Sequence, residues 1–173
     1  NYQLSSKVNL FGDLQIRTID YETEGTDDDL SNYQVGEKYT FFNPKFGLTY
    51  ALNAHFQLYG SFAVAHREPV RTDFIDAPVG DIPSPEQLQN LELGFRGNLD
   101  NIHLETNVYL MDYTDQLILT GAVNDVGSSI RVNTPDSYRA GLEMVLGMNL
   151  TDQWDWGFNV ALSRNKINKF TEV

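Results

Sequence analysis

Apolar residues recur at every second position along most of this chain. Between Ser137 and Ile167 the even positions carry Tyr138, Ala140, Leu142, Met144, Leu146, Met148 and Leu150. The odd positions carry Arg139, Gly141, Glu143, Gly147 and Asn149, with Val145 the one apolar intruder. Past Thr151-Asp152-Gln153 the parity resumes, with Trp154, Trp156, Phe158, Val160 and Leu162 against Asp155, Gly157, Asn159, Ala161 and Ser163. Successive strand side chains point to opposite faces, so the pattern predicts a two-sided hairpin. A helical stripe would lose this parity within one turn.

The same alternation predicts further strands upstream. Tyr2 to Val8 reads as a first strand, closed by a short connection through Phe11-Gly12-Asp13. Leu14 to Thr23 reads as the second, followed by a polar stretch from Glu24 to Thr40. Phe42, Phe46, Leu48, Tyr50 and Leu52 mark the third, and Asn53-Ala54-His55 turns it into a fourth marked by Phe56, Leu58, Phe62 and Val64. A proline-rich excursion covers residues 68–87. Leu91, Leu93, Phe95 and Leu99 then form a fifth strand, turned at Asp100-Asn101 into a sixth with Ile102, Leu104, Val108 and Leu110. Residues 113–136 form another long connection, and no segment reads as a helix.

Short and long connections alternate strictly, which places all short turns at one end of an up-and-down meander. Transmembrane barrels have this asymmetry, and a tilted strand of about 9–11 residues crosses the hydrocarbon. Alternation alone also fits a soluble lipocalin-like barrel or sandwich, whose apolar face turns inward. Three features favour the membrane. Small and polar residues such as Gly47, Ser61, Gly94, Gly141 and Asn159 on the second face suit a crowded, wet lumen. Trp154 and Trp156 beside a short turn, and Tyr113 and Tyr138 near long loops, fall at the two levels of an aromatic girdle. The large apolar residues of the first face also need no mutual fit.

Composition narrows the function classes. A formal charge of -12 over 173 residues argues against a nucleic-acid partner, because phosphate binding needs a basic surface. Without cysteine there is no disulfide framework, thiol nucleophile or cysteine metal site. A mean hydropathy of -0.36 reads as soluble, but barrel strands dilute their apolar face with lumen residues, so it does not decide. The chain starts within a strand pattern at Asn1 and stops at Val173 without a closing element, which predicts a piece of something larger.

Six stretches in order carry a family likeness: "FFNPKFGLTY", "LYGSFAVAHREPVRTDF", "SPEQLQNLELGFR", "NVYLMDYTDQLILTG", "VNTPDSYRAGLEM" and "ALSRNKI". Together they resemble the barrel of TonB-dependent outer-membrane receptors, in particular siderophore and cobalamin-type receptors of Bacteroidetes-like bacteria. The resemblance implies an all-β, antiparallel, up-and-down transmembrane barrel segment of about eight strands, taken from a barrel of about 22. It implies that residues 1–173 are a partial barrel domain, without the plug, the TonB-contacting segment or the final strand. The implied partners are outer-membrane lipid, the protein's own plug, the TonB complex and a small nutrient ligand such as a ferric siderophore or cobalamin. The implied place is the bacterial outer membrane. A passive eight-stranded outer-membrane barrel with a structural or adhesive role, and the soluble lipocalin-like binder, stand as alternatives.

No nucleophile elbow, phosphate loop or nucleophile–base arrangement appears, so there is no catalytic case. His55, His66 and His103 lie apart, without zinc-ligand spacing. "HREPVRTDF" gathers His66, Arg67, Glu68, Arg71 and Asp73 where a strand becomes a loop, and mutual pairing that fixes the loop root is the expectation. Glu92, Glu105, Glu143, Arg17, Arg96 and Arg139 fall on the lumen face, where contact with a plug or with one another is expected. Asp27, Asp28 and Asp29 sit in an acidic run whose oxygens are the one candidate for Ca²⁺, although the run lacks an EF-hand pattern. Tyr33, Tyr39, Arg71 and Phe74 are candidate ligand contacts among the loops.

Overall fold

A computed structural model describes residues 1–27, 30, 32–78, 80–123 and 127–168. Eight antiparallel strands form one sheet in chain order: β1 (Tyr2–Gln3), β2 (Val8–Thr26), β3 (Asn32–Ala51), β4 (Phe56–Arg67), β5 (Glu86–Leu99), β6 (Ile102–Val123), β7 (Ser129–Thr151) and β8 (Trp154–Ile167). One five-residue helix, α1 (Arg71–Ile75), lies between β4 and β5. No helix among the described residues is long and apolar enough to cross a membrane.

The register turns the sequence parity into two continuous faces. Leu10, Leu48, Gly60, Leu93, Val108, Leu142 and Leu162 are partners in succession from β2 to β8. One residue along, Phe11, Gly47, Ser61, Glu92, Tyr109, Gly141 and Ser163 make the matching row on the other face. Cross-strand partners share a face, so one face is a belt of aliphatic and aromatic side chains and the other is polar and small.

The apolar belt is open. Leu93 is 58% exposed, Leu142 40% and Phe158 41%, and among the described residues only Phe41 and Leu117 are buried hydrophobics. A lipocalin-like interior would bury this belt, and the sheet does not. Nor does it close: among the described residues β1 pairs only with β2, and β8 only with β7. An eight-stranded closed barrel would join those two edges.

Several connections differ from the sequence expectation. No turn occurs at Phe11-Gly12-Asp13; β2 runs straight through, with Gly12 opposite Phe46. Its outward parity (Val8, Leu10, Leu14, Ile16) is unbroken by one glycine, so the ladder continues. The turn falls instead at Leu4–Val8, where Ser5 Oγ accepts from the backbone N–H groups of Lys7 and Val8 at 3.2 Å. The polar stretches 24–40 and 113–136 are mostly strand, paired as hairpins out to Thr26–Asn32 and Val123–Ser129. Beyond the apolar belt both faces carry polar residues, so polar residues no longer signal a loop. Tyr113 pairs with Ser137 on the polar face, so it is not part of a lipid-facing girdle, whereas Tyr138 lies on the apolar face opposite Asp112.

Candidate functional site

The polar face carries its chemistry at two levels. At mid-wall, Tyr59 on β4 lies across its β5 partner Gly94, where any Cβ would strike the phenol ring. The Tyr59 hydroxyl donates to Glu105 Oε1 at 3.2 Å, and Arg96 Nε donates to the same oxygen at 2.9 Å. The Arg96 guanidinium also sits 4.5 Å from the Tyr59 ring centroid. Tyr109 repeats the packing over its β7 partner Gly141, and Tyr33 over its β2 partner Gly25. A glycine leaves a strand without a side chain to pack, and an aromatic ring from the next strand fills that space. A cavity of about 450 Å³ beside this group is lined by Asn9, Thr49, Tyr59, Ser61 and Arg96.

The second level is the end where the long hairpins stand. Arg17 Nη2 binds Glu68 Oε2 at 2.7 Å and the His66 carbonyl at 3.0 Å, while its guanidinium lies 5.2 Å from the Phe41 ring. Phe41 stacks between Tyr39 and His66, at centroid separations of 5.6 and 5.0 Å. The His66 Nδ1–H donates to Asn43 Oδ1 at 2.8 Å. Burial, and then the nearby Arg17 charge, hold the His66 imidazole below its ordinary pKa, which favours the neutral form. Burial, with Glu37 and Glu68 adding to it, pushes the Tyr39 phenol up. A larger hollow, about 640 Å³, runs along the β2–β3 hairpin beside Glu22, Glu24 and Gln34, but no convergent set of side chains fills it with chemistry.

The charges of "HREPVRTDF" do not pair with one another. Arg67 binds Glu86 at 2.7 Å, Glu68 binds Arg17, and Asp73 binds Arg131 at 3.2 Å. Each partner comes from a different strand, which the linear motif cannot reveal. Glu92 accepts from Asn90 Nδ2 at 2.8 Å, Arg139 lies over the Tyr113 ring, and exposed Glu143 stands opposite Asn107 with no hydrogen bond or ion pair among the described residues. The candidate ligand contacts have partners within the chain. Arg71 donates to the Tyr33 hydroxyl at 3.1 Å, Phe74 stacks on Tyr21 and Tyr39 stacks on Phe41.

Asp28 and Asp29 lie outside the described residues. Asp27 ends β2's hairpin, and its carbonyl accepts from the Leu30 N–H at 2.9 Å. Among the described residues no group of three or more His, Asp or Glu side chains could hold a metal ion. Sequence reasoning missed Tyr59, Tyr109, Arg131 and Asn133, because their roles depend on which strand lies beside them.

The sequence model of a family described as "TonB dependent receptor-like, beta-barrel" matches residues 1–171. No curated protein matches the chain significantly. Among solved structures, the copper transporter OprC superposes with a TM-score of 0.79 at 18% identity, covering 95% of this chain and 27% of that one. The ferric-catecholate import receptor Fiu from K12 E. coli superposes with a TM-score of 0.70 at 17% identity, covering 99% and 27%. The ferric yersiniabactin uptake receptor FyuA from Yersinia pestis gives 0.73 at 14% identity, covering 98% and 26%. The chain therefore spans about a quarter of each of these structures, and at such identities the likeness is one of fold.

Proposed function

This chain belongs to the TonB-dependent receptor β-barrel family, and from that premise we propose that it is about eight strands of the wall of an active nutrient transporter. Members of the family are transporters rather than enzymes, and their barrels lie in the outer membrane. Residues 1–173 form part of the barrel domain in this reading, and the plug and the TonB-contacting segment are other parts of the same protein.

The observation that carries the reading is the pair of continuous faces. An outward belt made mostly of Leu, Val, Phe and Trp suits acyl chains, which demand no specific packing. An inward face of Gly, Ser, Asn, Arg and Glu suits a hydrated interior filled by a polar domain. In such a transporter the wall performs no covalent chemistry. It binds the plug, frames the ligand at the hairpin end, and stays rigid while force through TonB remodels the plug. Relatives of similar fold are described as transporters of copper, ferric catecholates and ferric yersiniabactin. A scarce metal chelate or cobalamin-sized nutrient is therefore the cargo class proposed here.

The test uses the complete receptor expressed in cells that lack it. Uptake of labelled ferric siderophore or cobalamin should appear with the receptor and vanish when TonB is deleted. Uptake that survives TonB deletion, or a receptor that stays in solution without detergent, would overturn the reading.

A further inference from the structure

The strands differ in height. β4 and β5 have 12 and 14 residues, whereas β2, β3, β6 and β7 have 19, 20, 22 and 23. The β3–β4 ladder ends at Lys45–Ala63, one residue short of Pro44, which cannot donate to it. On the other side the β5–β6 ladder begins only at Gln87–Thr114. The wall thus has a notch between two tall hairpins, β2–β3 and β6–β7, and the β4–β5 connection sits in it.

Most of the buried residues among those described lie in or around this seat. Pro69, Asp73 and Pro83 of the connection are buried, as are Thr134 and Ser137 of β7 and Phe41 of β3. Toward β2–β3 the connection reaches Arg17 through Glu68, Tyr21 through Phe74 and Tyr33 through Arg71. Toward β6–β7 it reaches Arg131 through Asp73, and Asn133 exchanges two hydrogen bonds with the Ser84 backbone, at 2.7 and 2.9 Å. One segment therefore ties together two hairpins that share no ladder.

Asp73 couples the seat to the segment's own folding. Its Oδ2 accepts from the Val70 N–H at 2.8 Å, which caps α1, while its Oδ1 binds Arg131. The carboxylate is only 4% exposed, so losing Arg131 would strand a buried charge. A five-residue helix does not persist by itself, so the unseated connection frays rather than moving as a rigid piece. We propose that the β4–β5 connection is a latch that locks the β2–β3 hairpin to the β6–β7 hairpin across the notch, with Asp73–Arg131 as the contact whose loss releases it.

The experiment measures distances by pulsed electron paramagnetic resonance in the complete receptor, in outer-membrane vesicles, and needs no knowledge of the cargo. This chain has no cysteine, so once any cysteine elsewhere in the complete receptor is replaced, spin labels can be placed at Gln34→Cys and Leu119→Cys across the hairpins, and at Leu58→Cys and Leu142→Cys across the wall. Asp73→Asn and Arg131→Gln should each widen the hairpin distance distribution about twofold and leave the wall pair unchanged, whereas Arg131→Lys, which keeps the cation, should widen it less than Arg131→Gln. A hairpin distribution identical to the parent, or equal widening of both pairs, would overturn the latch. The second result would make the connection a general support of the wall.

Discussion

Tyr59 covers Gly94, its direct partner across the β4–β5 ladder, so closely that a methyl group at Gly94 would occupy the phenol's place. The same ring is fixed from beyond by the Glu105 carboxylate and from one face by Arg96. Tyr109 covers Gly141 in the same manner, so that a Cβ there would lie 2.6 Å from its ring, but no hydrogen bond holds its hydroxyl among the described residues.

The two glycines should therefore respond differently. Gly94→Ala must displace a ring anchored at both ends, at a cost of about 1–3 kcal/mol in the unfolding free energy of the complete receptor. Gly141→Ala lets Tyr109 swing aside and should cost less than about 1 kcal/mol. Urea unfolding in lipid vesicles, followed by tryptophan fluorescence, measures both. Equal costs would show that the anchors of Tyr59 hold nothing.

Glu105 joins two donors on one oxygen, so its neighbours should be coupled. In a double-mutant cycle, Tyr59→Phe and Arg96→Gln should be non-additive, by about 0.5 kcal/mol after allowance for the exposure of Arg96. Strict additivity would mean the two side chains act on Glu105 independently.

Depth in the membrane gives a sharper test of orientation. Leu93 sits in the middle of the apolar belt and Leu150 at its short-turn end, and they are 58% and 57% exposed. In water, Arg at either would cost little. In a bilayer, Leu93→Arg should cost about 2–4 kcal/mol and Leu150→Arg about 0–1 kcal/mol. Refolding yield into vesicles reads the difference, and matching values for the two variants would contradict a lipid-facing belt.

His66 gives a pH dependence of known sign. Its pKa in the folded protein lies below the ordinary 6.5, because burial and Arg17 disfavour the imidazolium; Glu68 offsets part of that charge through its bond to Arg17. The neutral form is the one that suits the fold. The contribution is complete above about pH 6.5 and is lost as the pH falls below that toward the folded value. The protection factors of the Phe41 and Asn43 amides, taken against the intrinsic exchange rate at each pH, should fall on acidification, and His66→Gln should remove that fall. An unchanged pH response in the variant would assign it to another group.

Much of the wall was legible in the sequence. Alternation marked the strands from Phe42 to Leu110 and from Tyr138 to Leu162, because side chains of period two have to take opposite faces whatever lies beside them. It failed where that constraint lapses. Outside the apolar belt both faces meet water, so the extensions Glu24–Thr26, Asn32–Thr40 and Tyr113–Val123 read as loops. Gly12 looked like a turn, although a strand tolerates a single glycine opposite a phenylalanine.

The sequence by itself determined that one face of the sheet is oily and the other polar, and that the short turns share one end. Only the tertiary structure decided which residues meet: Tyr59 with Gly94, Arg17 with Glu68, Asp73 with Arg131. Parity is a local property, set by backbone geometry within each strand. Pairing depends on register between segments up to 58 residues apart, and no single strand carries the information for that.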